Sequence, residues 1–515
     1  MSALRAFAVM KRGMAWGAAA LLGVATVLSA ASEAWAGWDV VEAQRTVAYG
    51  LAAIVDRHLQ QVPAAAVALD AMRGLADIDP QFAVAIQGGR VRLTNAERVV
   101  ADYPAPAADD VESWARLVIS VALDAGELSP LVRDADAERL YRAVFEGALG
   151  TADLHSRYAG ATEARDNRAN RNGFGGIGIR FELIEGEARI VDVVEDTPAA
   201  RAGLQADDVI VLIDGKPVRG LDRSEISARL RGAVASALIV TLRRAGQTIE
   251  AKVQRSLIVP KTVTQTVDGG IAIYRISSFN QRTASTLETK LRETRERMGS
   301  RLKGVVLDLR GNPGGLLDKA VAVADLFIAD GPIVSTRGRN PAANAVLTAR
   351  PGDLAEDLPV VVLIDGRSAS SAEILASALQ DSGRAVLIGT NSYGKGTVQT
   401  VIRLPNDGEI TLTWSRFHAP SGYALHGLGV LPALCTSPQQ ATAERSGDPA
   451  RFARTLAVWR QAGLDDTDLR RRLRDLCPPV RRTDTAEEMI QARRLLSDPS
   501  AFARLLAAET GHVGP

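Results

Sequence analysis

The chain has 515 residues, 46% of them hydrophobic, and a formal net charge of +1. That length and apolar content suffice for about two to four packed domains, and the charge balance gives no electrostatic reason to expect nucleic acid or an anionic membrane surface as partner. The only cysteines, Cys435 and Cys477, cannot form a CxxC motif; in an exported protein they either pair or remain two buried thiols.

Residues 1–36 hold Arg5, Lys11 and Arg12, an uncharged run from residue 13 to 32, and the closing Ala34-Trp35-Ala36. This is the order of a secretory signal, with cleavage expected after Ala36 and a periplasmic product. The run is long enough to span a bilayer, so an uncleaved N-terminal membrane anchor is the alternative. With Glu33 the segment carries +2, which leaves the rest of the chain near −1.

From residue 37 to 169 the pattern is mostly helix-periodic, on alanine-rich faces such as Val47, Leu51, Ile54 and Val55. Residues 71–80 and 144–153 look distantly alike, through either a duplicated helical hairpin or coincidence between alanine-rich helices. Residues 163–171 are charged and poor in apolar side chains and read as a linker. The period then changes to 2, with predicted strands at 177–183, 188–194, 209–213, 237–242 and 248–253 and one short helix at 222–230. Residues 173–178 have the spacing GxGxxG, but a polar segment precedes them and an alternating strand follows. A dinucleotide loop needs a strand before and a helix after.

Three ordered pieces mark this region: Gly176-Ile177-Gly178-Ile179, TPAARAGL at 197–204 and DDVIVLIDG at 207–215. Glycines let consecutive amides converge on a carboxylate, and the following strand can pair with an extended peptide. Over residues 172–258 the chain resembles a PDZ domain. The resemblance implies that Gly176, Ile177, Gly178 and Ile179 bind a peptide C-terminus.

The segment 257–434 alternates predicted strands (271–279, 304–310, 359–365, 385–388) with helices (284–298, 316–327, 370–380) and closes on strands 398–404 and 409–417. That order argues for an α/β layered core whose loops at carboxyl strand ends carry function. One such loop is 308–315, DLRGNPGG; another is 366–371, GRSASS, where a serine stands at a helix start. Residues 389–396 read GTNSYGKG, close to a phosphate loop, but Gly396 replaces the metal-binding hydroxyl and a strand follows instead of a helix. No histidine lies between residues 271 and 417. A histidine base would have to be His418 or His426, both at a predicted strand end and turn. Lys395, flanked by Gly394 and Gly396, is the nearer basic residue.

LDLRGNPGGLL at 307–317, SASSAEI at 368–374, ALQD at 378–381, YGKGTVQ at 393–399 and the closing 420–432 occur in this order. In combination they resemble the carboxyl-terminal processing peptidases, also called tail-specific proteases, over most of residues 140–434. The resemblance implies Ser370 as nucleophile, Lys395 as its base 25 residues later, and Gln399 as the residue that orients the lysine. Ser371-Ala372 stand where the family has Ala-Ser, so Ser371 is a rival nucleophile. For the oxyanion it implies the amide of Ser371 and one from Gly314 or Gly315. A lysine is a base only when neutral, so its ordinary pKa of about 10.4 has to be lowered by burial.

The expected fold is α/β: a crotonase-like layered protease core (259–434), an inserted all-β PDZ domain (172–258), and helical N-terminal (37–169) and C-terminal (435–515) regions. The expected function is an exported serine endopeptidase, using no metal or other cofactor, that cuts proteins near their C-termini. Its partners would be proteins or peptides with a free C-terminus, and not nucleic acid; an adaptor protein and a homo-oligomer are compatible additions. The run Arg470-Arg471-Arg472-Leu473-Arg474 reads as a solvated helix face, with an adaptor or dimer surface as the alternative. Readings from other classes are a catalytically silent PDZ scaffold that binds tails and a crotonase-like acyl-transfer enzyme, for which no basic phosphate site is evident.

Overall fold

The computed structural model describes residues 38–150, 152–438, 448–481 and 486–510, so the signal segment lies outside the described residues. Two compact units emerge: residues up to Asp56 with Gln61–Ala161 and Val401–Leu412, and Arg57–Gln60 with Thr162–Thr400 and Thr413 onward.

In the first unit, α1 (Val40–Arg57), α2 (Ala64–Arg73), α3 (Val111–Leu128) and α4 (Ala137–Gly150) turn their apolar faces inward around Trp114 and Phe145. The two look-alike segments overlap the ends of α2 and α4 and meet at Gly74, just past α2, and Gly147 of α4. A Cβ on Gly74 would lie 1.9 Å from the Ala143 carbonyl oxygen, and one on Gly147 2.4 Å from that of Asp70, so no larger residue fits the crossing. The helical expectation misses an antiparallel meander, β1 (Phe82–Gln87), β2 (Arg90–Asn95) and β3 (Arg98–Pro104). Its signal was present: alternation on both sides of Gly88-Gly89, which turn at φ 57° and 71°. Strand β4 (Arg157–Ala159) pairs with residues 409–411 in the same unit.

In the second unit, residues expected as a linker form a helix, α5 (Ala161–Asn172), which buries only Ala164 and Ala169. A PDZ sheet follows in the order β11 (Gln247–Gln254), β10 (Ala237–Arg244), β8 (Val209–Ile213), β7 (Glu187–Val193), β6 (Ile179–Ile184), with β9 (Lys216–Pro217) beside β8. Helix α6 (Arg223–Leu230) starts at a reciprocal Asp222/Glu225 cap and contributes Ile226 and Leu230 to a separate apolar core with Ile190, Leu238 and Val240. Strand β5 (Phe174–Gly176) leaves that sheet and pairs with β12 (Ser256–Ile258).

The remaining sheet runs β13 (Val263–Asp268), β14 (Ile271–Ile276), β15 (Gly304–Asp308), β18 (Val360–Ile364), β19 (Ala385–Gly389), β22 (Leu434–Cys435). Only the first pair is antiparallel. Every residue of β15, β18 and β19 is buried, the signature of parallel strands covered on both faces. Helices α7 (Thr283–Met298), α8 (Leu317–Ala324) and α9 (Ser371–Asp381) make the crossovers; β17 (Ala345–Thr348), β16 (Pro332–Arg337), β21 (Glu409–His418) and β20 (Thr397–Arg403) form a second sheet. The C-terminal extension adds α10 (Pro449–Gln461), α11 (Thr467–Asp475), α12 (Ala486–Leu496) and α13 (Pro499–Glu509), and the Cys435–Cys477 disulfide ties it to β22. The result is mixed α/β. No helix among the described residues is long and apolar enough to cross a membrane.

Candidate active site

Strands β15, β18 and β19 are parallel neighbours, so the loops at their carboxyl ends rise on one side of the sheet. Those loops carry Gly314-Gly315, Ser370 and Lys395.

The turn after β18 is held from below. Asp365 Oδ1 accepts the amides of Gly311 (2.9 Å), Arg367 (3.0 Å) and Ser368 (3.1 Å), and Ser368 Oγ donates to the Leu309 carbonyl (2.9 Å). Ser370 then adopts φ 54°, ψ −117° immediately before α9. A positive φ at a non-glycine residue persists only where the surroundings enforce it, and on a sharp strand-to-helix turn it projects the side chain from the sheet top. The neighbouring hydroxyl is engaged elsewhere, since Ser371 Oγ donates to the Gly315 carbonyl at 2.9 Å.

The glycine loop is organised by fully buried Asn312. Its Nδ2 donates to Ile276 O (2.8 Å), its Oδ1 accepts the Gly314 amide (2.8 Å), and its carbonyl accepts the Ala369 amide (2.9 Å). Gly314, at φ 102°, passes so close to the turn that a Cβ there would lie 2.9 Å from Ser370 Cβ and 3.0 Å from the Ser371 nitrogen. The Gly314 amide is therefore occupied. The amides of Gly315 and Ser371 donate to no group among the described residues.

Glu373 was not singled out by sequence, although Ser370-x-x-Glu373 has the spacing of a helix cap. Its fully buried carboxylate accepts four hydrogen bonds: Ser370 N (2.7 Å), Ser392 Oγ (2.5 Å), Gly394 N (2.6 Å) and Lys395 N (2.9 Å). Burial pushes this carboxyl up, and the four donors pull it back. One side chain thus joins the backbone of the serine turn to that of the lysine loop.

Lys395 is half-buried just before β20. Its loop is pinned by Tyr393 N to Ser368 O (3.0 Å), Gly427 N to Gly394 O (2.8 Å) and Phe417 N to Gly396 O (3.1 Å). A Cβ on Gly396 would lie 2.1 Å from His426 N, so the lysine needs its glycine neighbour. Gln399 Nε2 donates to Thr397 Oγ1 (2.9 Å) and Thr413 Oγ1 (3.3 Å).

The arginine run of the extension is not a solvated face throughout. Arg470 is 4% exposed and donates to the carbonyls of Ala462 (2.8 Å), Ala424 (2.8 Å) and His426 (2.5 Å). Arg474 donates to Leu428 O (2.8 Å) and Tyr393 O (3.3 Å), at the back of the lysine loop. Their partners are backbone carbonyls, which leave no mark in a sequence pattern.

In the PDZ domain, Gly176, Ile177, Gly178 and Ile179 line a cavity of about 180 Å³ against Ser227 and Leu230 of α6. Gly178 sits at φ 86°, where a Cβ would lie 2.3 Å from Thr197 Cβ. The amides of Ile177 and Gly178 donate to no group among the described residues.

Comparison with known proteins agrees with this layout. Residues 270–434 match the model of peptidase family S41, and residues 175–254 match a PDZ domain. A carboxy-terminal-processing protease of Bartonella bacilliformis is 40% identical over 303 residues, which is 58% of this chain and 70% of that protein. The carboxy-terminal processing protease CtpA of Bacillus subtilis is 32% identical over 304 residues, 58% of this chain and 64% of that protein. Among solved structures, a photosystem II D1 C-terminal processing protease aligns over 72% of this chain and 92% of its own, with 24% identity and a TM-score of 0.36. The chain belongs to the carboxy-terminal processing protease family of S41 serine peptidases, with a PDZ domain ahead of the protease core.

Proposed function

We propose that the protein is an exported endopeptidase that cuts other proteins near their C-termini with Ser370 as nucleophile and Lys395 as general base. Ser370 Oγ attacks the scissile carbonyl while Lys395 Nζ takes its proton; the C–N bond breaks, and the departing amine receives that proton. A water deprotonated by Lys395 then hydrolyses the acyl-enzyme ester. The Ser371 and Gly315 amides hold the oxyanion, and Gly314 supplies the close backbone approach rather than a donor. With both Gln399 amide hydrogens directed at threonine hydroxyls, its carbonyl oxygen serves to orient the lysine. The PDZ loop Gly176–Ile179 holds the free C-terminus of the substrate.

The observation that carries this reading is the division of labour between adjacent serines: Ser370 on a strained turn beside uncommitted amides, Ser371 bonded to Gly315. The purified protein is expected to release C-terminal fragments from a tailed protein substrate, with new termini mapped by mass spectrometry. Ser370→Ala and Lys395→Ala should each abolish cleavage while the folded chain still binds the tail. Cleavage that survives both substitutions would overturn the dyad, and binding without any cleavage by the unmutated protein would identify a scaffold.

A further inference from the structure

The tail groove opens into a second, larger cavity of about 840 Å³ between α5, β5 and α6. Phe174, Arg223, Ser227 and Arg231 line both spaces. Four arginines face the larger one, Arg165, Arg168, Arg223 and Arg231, against a single carboxylate, Asp166. Arg231 is fixed in place: its guanidinium lies over the Phe174 ring, 4.4 Å from the centroid, and pairs with Asp166 at 2.6 Å. Arg165 and Arg223 are exposed and make no hydrogen bond or ion pair among the described residues.

We propose that this cavity is a subsite for an acidic side chain, so that the protein selects substrate tails carrying aspartate or glutamate within their last few residues. The inference rests on reading the PDZ loop as the seat of the tail's free C-terminus. A peptide paired along β6 with its end at Ile177–Gly178 presents alternate side chains toward α6, the helix on which Arg223 stands. An arginine there meets a carboxylate through two parallel N–H bonds. Two uncommitted guanidinium groups beside a pinned third give the cavity an unbalanced positive field, which an acidic tail neutralises and a neutral tail leaves unmet. The acidic residues of the tail would compete with Asp166 for Arg231 while Arg165 and Arg223 receive them directly.

The test is fluorescence anisotropy with the full-length Ser370→Ala protein and labelled ten-residue peptides that share one apolar C-terminal residue. They carry either aspartates or serines at the three preceding positions, each with a free or an amidated end. The acidic free-ended peptide should bind about tenfold tighter than the serine peptide at low ionic strength, with the gap narrowing as salt rises. Arg165→Gln combined with Arg223→Gln should close most of that gap, while the serine peptide still binds and still loses affinity on amidation, which also verifies an intact domain. Equal binding of acidic and serine peptides would overturn the subsite while leaving the tail reading intact if amidation weakens both. Equal binding of free and amidated peptides would overturn the tail reading itself. A gap that persists in the double variant would remove these arginines from the account.

Discussion

The serine and lysine loops differ from the PDZ groove in how their polar groups are used. Around Ser370 nearly every buried valence is engaged: Asn312 spends both ends of its amide and its carbonyl, Glu373 accepts four donors, and Ser368 and Ser371 each bond a carbonyl of the glycine loop. Among the described residues, the amides of Gly315 and Ser371 donate to no group, and Asn391 Oδ1 in the lysine loop has no partner. In the PDZ groove the amides of Ile177 and Gly178 and the guanidinium groups of Arg165 and Arg223 stand open. A catalytic turn must be held within a fraction of an ångström, so its surroundings are saturated except where charge develops. A recognition groove is instead completed by its ligand.

Substitutions on the saturated side should cost more than those on the open side. The largest effect is expected for Glu373→Ala, which strands the amides of Ser370, Gly394 and Lys395 and the Ser392 hydroxyl. A fall in kcat of about 100-fold or more and a loss of about 2–4 kcal/mol of stability should appear together in steady-state assays and denaturant unfolding. Glu373→Gln, which keeps the shape but turns an NH2 toward donors, should recover much of the stability and little of the kcat.

Glu509 extends the comparison to pH. It lies fully buried on α13, accepts the Leu387 amide of β19 at 3.0 Å, and burial raises its carboxyl from 4.5 to about 8. Because the folded value is the higher one, its contribution is complete below pH 4.5 and is lost as pH rises through about 8. Thermal melts should therefore show wild type losing on the order of 3 kcal/mol relative to Glu509→Gln between pH 5 and 8.5. A parallel pH dependence in the two proteins would place the titration elsewhere.

Arg474→Ala, which unpins the Leu428 and Tyr393 carbonyls behind the lysine, should lower kcat about tenfold with little change in KM, partly restored by Arg474→Lys. The smallest chemical effect belongs to the open side. Gly178→Ala forces a Cβ against Thr197 and should raise KM for a tailed substrate about five- to tenfold with unchanged kcat, a split that steady-state kinetics resolves.

The comparison also explains what could be read from sequence. Strands 304–310, 359–365 and 385–388 were legible because parallel buried strands are continuous apolar runs, and the PDZ and glycine loops because glycine is required where φ is positive or backbones touch. Glu373 was hidden because its partners lie up to 22 residues away on another strand's loop. Arg470 and Arg474 were hidden because charge pattern cannot distinguish a solvated arginine from one bonded to backbone carbonyls, among them carbonyls 44 and 81 residues away. The meander at 82–104 carried its alternation around Gly88-Gly89, but it lies between strongly helix-periodic segments whose pattern dominates the region. Sequence leaves Gly314 and Gly315 equivalent because the partner that occupies the Gly314 amide is a side-chain oxygen, Asn312 Oδ1.

The most direct test of the central claim compares kcat/KM for Ser370→Ala and Ser371→Ala on one tailed substrate, after both are shown to be folded by circular dichroism and tail binding. The account predicts no detectable cleavage for Ser370→Ala and activity within about tenfold of wild type for Ser371→Ala, which loses only its hydrogen bond to Gly315. Retained cleavage by Ser370→Ala, or complete loss in a folded Ser371→Ala, would contradict it.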